Sequence, residues 1–129
     1  MTPLSRDILD FWFGPPPHSA RAEWFKKDPA FDATIRTRFS ASIEGAVGGP
    51  TQALPDDDDV YDALARVVLL DQITRNAFRD TPRAFSGDAL ALATAIAVVD
   101  SGRDTRLDRF ERLFLYLPFE HAESLAMVE

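Results

Sequence analysis

Apolar residues recur at helical spacing along most of the chain, and strong stop signals fall between the runs. Ile8, Leu9, Phe11, Trp12 and Phe13 load the end of a segment that starts at Thr2-Pro3 and stops at Gly14-Pro15-Pro16-Pro17. Thr can cap a helix and Pro fits its first turn, so the pattern predicts a helix from Pro3 to Phe13 with Trp12 as a core anchor. Ala20–Lys27 predicts a turn of helix carrying Trp24 and Phe25. Asp28-Pro29 repeats the cap-plus-proline signal. Phe31, Ile35, Phe39 and Ile43 then recur every fourth residue, which predicts a helix to about Val47. Asp32, Arg36, Ser40 and Glu44 fill its other side. Gly48-Gly49-Pro50 ends it, and Thr51–Asp59 reads as a linker. The acidic run Asp56–Asp59 lacks the alternating ligands, central Gly and terminal Glu of a calcium loop, so it predicts a helix start.

Val60–Asp80 contains no Gly or Pro and predicts one long helix. At about 100° per residue, Val60, Leu64, Val67, Val68 and Phe78 share one arc, and Leu69, Leu70, Ile73 and Ala77 cover much of the opposite side. A helix this apolar all round is a buried one. Asp71 and Arg75 fall inside the first apolar arc, and Gln72, Asn76 and Arg79 continue the polar stripe beside them. Asp71 and Arg75, Arg75 and Arg79, and Gln72 and Asn76 are each four apart, so each pair can meet. A charged stripe on a buried helix is costly unless paired or wet. It is either a structural network or the lining of a pocket in which Arg75 or Arg79 receives an anionic group.

Thr81-Pro82 marks a turn, and Ser86 is the candidate cap of a helix to about Ser101. Ala89, Ala91, Ala93, Ala95 and Ala97 make that helix rich in small residues, which predicts a sandwiched position. Leu107–Leu117 predicts a further helix with Asp108 as its cap. Pro118 is expected to break or kink the chain before a short last helix over Phe119–Val128. There His121, beside Glu120 and Glu123, is a candidate acid–base group or metal ligand. His18, in the loop after the prolines, reads as a solvated residue. No H-E-x-x-H occurs, so no metal is expected.

Composition narrows the options. At 129 residues one domain is expected over 1–129. The net charge of −7 argues against nucleic acid or an anionic membrane as partner. The absence of Cys excludes disulfides, thiolate metal sites and a cysteine nucleophile. No apolar run of membrane-spanning length and no signal-peptide core stand out, so the cytoplasm is the expected location. Phosphate-loop, dinucleotide-binding and nucleophile-elbow motifs are missing, no cofactor is expected, and no strand-period segment supports an α/β fold.

Four phrases carry a resemblance: ILDFWFG at Ile8–Gly14, WFKKDPAFDATIRTRF at Trp24–Phe39, LLDQITRNAFRDTPRAFSGDALAL at Leu69–Leu92 and LFLYLPFEHAESLA at Leu113–Ala126. Together they resemble the bacterial "domain of unknown function 924" family, in the family's order and over nearly the whole chain. The resemblance implies an all-α fold of antiparallel helical hairpins in a tetratricopeptide-like, right-handed array. It implies no activity, substrate or cofactor. Asp71, Gln72, Arg75, Asn76, Arg79, Tyr116, Pro118, Glu120, His121 and Glu123 map onto the family's pattern. The family also continues past the LPFEHAE segment, so this chain is expected to be a shortened version. An apolar face left exposed by that shortening would favour homo-oligomers.

Three functions follow. A helical interaction or scaffold module with a protein partner is the first, by analogy of fold. The second is a binding protein or enzyme for a small anionic metabolite. It would use Asp71, Gln72, Arg75, Asn76 and Arg79, with His121 and Glu120 as acid–base groups and Trp12, Trp24, Phe25 or Tyr116 as walls. In the third, the polar residues only specify packing.

Overall fold

The structure, a computed structural model, describes residues 1–48 and 59–128, with side chains to residue 123. The fold is all-α, and no strand occurs among the described residues. Helix α1 spans Pro3–Phe13. The Thr2 hydroxyl accepts the Ser5 N–H at 3.1 Å, and Gly14 ends the helix in a left-handed conformation with φ +74°. Ile8, Leu9, Trp12 and Phe13 are buried. Ala22–Trp24 forms a single 3-10 turn. Helix α2 spans Pro29–Gly48, and Asp28 caps it by accepting the N–H groups of Ala30 and Phe31. Ile35, Phe39 and Ile43 form its buried stripe, with Phe31 partly covered. Asp32 departs from the expected solvent side. It is buried, because it turns toward Arg79.

The segment expected as one long helix is three pieces. Helix α3 covers Val60–Val67, a π-helical turn covers Val68–Ile73, and α4 covers Thr74–Ala77. Asp59 caps α3 by accepting the Tyr61 N–H at 2.8 Å. The rest of the predicted linker and acidic run, together with Gly49-Pro50, lies outside the described residues. Phe78 leaves the helical region, and Asp80 takes φ +68°, so the helix stops before the predicted end. This segment is the centre of the molecule: α3 packs against α1, α5 and α6, while α2 packs against the π turn and α4.

Helix α5 runs over Asp88–Asp100. Ser86 does not cap it: its hydroxyl donates to the Arg83 carbonyl within the 3-10 turn Pro82–Phe85, and Gly87 holds the cap position. Ala91, Thr94, Ala95 and Val98 are buried, but Ala89, Ala93, Ile96, Ala97 and Val99 are exposed, so α5 packs by one face and is not sandwiched. The apolar stretch Pro82–Asp100 reaches 19 residues, a spanning length where none was expected. It is divided between a turn and a 13-residue helix, and that helix is about 20 Å long, short of a bilayer core.

Helix α6 spans Arg109–Val128 and continues through Pro118, so of the expected break or kink the break does not occur. Pro118 is buried, with Phe114 and Leu115 buried in the turn before it. Packing on both sides of the proline overrides its local cost of about 3 kcal/mol. Asp108 and Glu111 form a reciprocal cap at the start of α6, each carboxylate accepting the other residue's N–H, at 2.8 and 2.9 Å.

Candidate functional site

The polar stripe converges with α5 and α6 at the π turn. Six residues there hold one extra residue per turn, a geometry that concentrates at functional sites in helices. The Leu69 carbonyl closes the turn by accepting both the N–H and, at 2.8 Å, the hydroxyl of Thr74. Gly87 is the residue that lets the following loop lie against this turn. A Cβ there would collide with the Leu70 carbonyl oxygen and come within 3.0 Å of its carbon.

Asp71 lies in the π turn with 0% exposure. Its Oδ2 accepts from Gln72 Nε2 at 2.7 Å, and its Oδ1 stands 2.9 Å from His121 Nδ1. Arg75 Nη2 lies 3.1 Å from the same imidazole nitrogen, 3.8 Å from Asp71 Oδ1, and donates to Asp88 Oδ2 at 2.8 Å. The network assigns the tautomer. Arg75 Nη2 already has Asp88 as acceptor, whereas Asp71 Oδ1 has no nearer donor, so His121 Nδ1 carries its proton toward Asp71 and Nε2 keeps its lone pair. Arg75 also lies over the Phe85 ring, 4.9 Å from its centroid. Burial pushes the Asp88 carboxyl above its ordinary pKa, against the pull of Arg75. Arg75 Nε and Asp88 Oδ1, a donor and an acceptor of the same ion pair, are buried without a hydrogen-bond partner among the described residues.

The remaining candidates are elsewhere or otherwise engaged. Arg79 reaches Asp32 with two nitrogens, at 2.8 and 3.3 Å, and Asn76 Oδ1 at 3.3 Å. The Asp32 hydrogen bond holds the guanidinium pKa above its usual value. Arg79 and Asn76 therefore dock the end of α4 onto α2, with Arg79 paired to Asp32. Glu120 is exposed and makes no hydrogen bond or ion pair among the described residues. Trp12 and Trp24 are not walls of this site. They form an aromatic cluster with Phe13 and Phe114, and Trp24 Nε1 donates to the Trp12 carbonyl at 3.0 Å. Phe114 precedes His121 by two turns of α6, about 10 Å. Phe25 is 71% exposed, and Tyr116 donates to Asp104 at 2.6 Å.

Two residues escaped sequence reasoning. Asp88 follows a glycine at the first turn of α5, where a carboxylate suits the helix dipole, a signal that gives no hint of Arg75. His18 is not a solvated loop residue: its Nδ1 lies 2.6 Å from Asp108 Oδ2 and its ring stacks on Phe13. A separate recess of about 460 Å³ opens between α1, α2, α3 and α5, lined by Ile8, Ala63, Leu69 and Val98. The carboxylate on its lining, Asp62, accepts the Thr2 N–H at 2.9 Å.

Residues 8–129 match the family described as "Bacterial protein of unknown function (DUF924)". The chain belongs to that family. A solved structure, that of a protein of unknown function, ATU0120, from Agrobacterium tumefaciens, is 36% identical, with a TM-score of 0.79 over 95% of this chain. This chain spans 66% of the length of that protein. No curated protein matches it.

Proposed function

We propose that the protein binds a small polar metabolite at the junction of the π turn, α5 and α6, with His121 as general base. The observation that carries this reading is the wholly buried Asp71 carboxylate holding His121 Nδ1 across 50 residues of sequence. A carboxylate that orients an imidazole leaves the second nitrogen to take a proton, the arrangement of a base and its orienter. The Arg75 side chain, 23% exposed, supplies a donor for the ligand beside it.

Charge refines the ligand. Two carboxylates face one guanidinium, so an anion finds no excess positive charge unless His121 is protonated. The ligand that fits is a neutral or weakly acidic metabolite that yields a proton to Nε2 and accepts from Arg75. Such a role suits the cytoplasm and a single folded unit. The interaction-module reading has in its favour the exposed Met1, Leu4, Phe25, Phe85, Ile96, Val99, Leu113 and Tyr116 among the described residues, and exposed apolar side chains are ordinary on a folded surface.

Nitrogen-15 histidine spectra test the reading. His121 should give the Nδ1-protonated tautomer, and a bacterial small-metabolite extract should shift its Nε2 signal in the parent but leave Asp71→Asn unmoved. An Nε2-protonated tautomer, or an extract without effect on His121, would refute it.

A further inference from the structure

We propose that His18, Asp108 and Glu111 bind a first-row divalent transition cation that pins the proline-rich loop after α1 to the start of α6. One ligand atom from each residue lies within 4.8 Å of the other two. His18 reaches Asp108 across 90 residues of sequence, and its ring plane is fixed by stacking on Phe13, with centroids 5.2 Å apart and planes at 27°. The reciprocal cap of α6 occupies Asp108 Oδ1 and Glu111 Oε1 with backbone N–H groups. It thereby fixes both carboxylates, leaving Glu111 Oε2 for another partner while Asp108 Oδ2 pairs with His18 Nδ1. Asp108 Oδ2 and His18 Nδ1 are 2.6 Å apart in a hydrogen bond, and a cation would replace the shared proton and open the two atoms to about 3.3 Å.

Burial supplies the independent reason for a cation. Glu111 is only 7% exposed, and no Lys or Arg pairs with it among the described residues. A buried carboxylate needs compensation. With a neutral imidazole the three side chains carry two negative charges, which one divalent cation balances. One imidazole and two carboxylates suit Zn²⁺ or its first-row neighbours; calcium takes six to eight oxygens, which this cluster does not present. Three protein ligands leave a coordination position for water. The site is separate from the His121 cluster, ten residues further along α6.

Chelator-treated protein titrated with Zn²⁺ by calorimetry, and with Co²⁺ by visible absorption, tests the proposal. The expected result is one equivalent bound, a Tm raised by Zn²⁺, and binding weakened at least about tenfold in His18→Asn but unchanged in His121→Asn. Glu111→Gln keeps a side-chain oxygen for the helix cap and removes the charge, so it gives the same reading if His18→Asn fails to fold. A parent that binds neither ion would overturn the proposal. So would variants at His18 and Glu111 that bind like the parent, or binding abolished by His121→Asn. Any of these results would assign the cluster to a protonated His18 that ties the loop down without metal.

Discussion

Asp71 is a carboxylate with no solvent contact, so its neighbours decide what it costs. Gln72 and His121 occupy its two oxygens. Asp71→Ala leaves Arg75 and His121 with one acceptor fewer in a partly buried place and is expected to cost about 3 kcal/mol in urea unfolding. A loss below about 1 kcal/mol would mean the group is kept for something other than stability. Asp88 carries part of the pH dependence, and Glu111, whose pKa burial also raises, adds a part of the same sign. Burial raises the Asp88 pKa in the folded chain, so the folded protein holds that proton more tightly than the unfolded chain does. Stability should therefore fall as pH rises from the ordinary carboxylate value, about 4, through the raised folded value. Asp88→Asn should make that slope shallower in the denaturant midpoints, leaving the part that Glu111 contributes, and parallel slopes in parent and variant would contradict the assignment.

Helices α1 and α2 were legible because their limits are written locally. Thr2, Asp28 and the prolines beside them act within one turn, and Gly14 supplies the left-handed stop. The π turn was not legible. A map that advances by a constant angle cannot show an inserted residue, and with Val67, Val68, Leu69, Leu70 and Ile73 all buried the apolar pattern carries no mark of the change of pitch. The unbroken path through Pro118 was hidden for a related reason: the packing that overrides proline comes from elsewhere in the chain. The site was half legible. Asp71 and Arg75 announced themselves by spacing, but Asp88, His121 and the His18–Asp108 contact join across 13 to 90 residues and leave no local trace. The element-level test is Gly87→Ala. Its methyl would meet the backbone of the π turn rather than a movable side chain. Pushing loop and turn apart should cost about 1–3 kcal/mol in urea unfolding and perturb amide shifts around Leu70. A neutral substitution would show that the two backbones have room to separate.

At the scale of the molecule, α3 and the π turn touch α1, α2, α5 and α6, so no peripheral helix has a core of its own. The described residues should unfold as one cooperative unit. Calorimetric and van't Hoff enthalpies should agree, and a calorimetric value well above the van't Hoff value would reveal two units. The aromatic cluster has an optical consequence. Trp12 and Trp24 meet the same Phe114 ring, and Phe13 links Trp24 to His18. All indole emission thus originates at one end of the protein. Fluorescence should register events at the proline-rich loop while staying almost blind to ligands at His121, so an unchanged emission spectrum is no sign that the second site is empty.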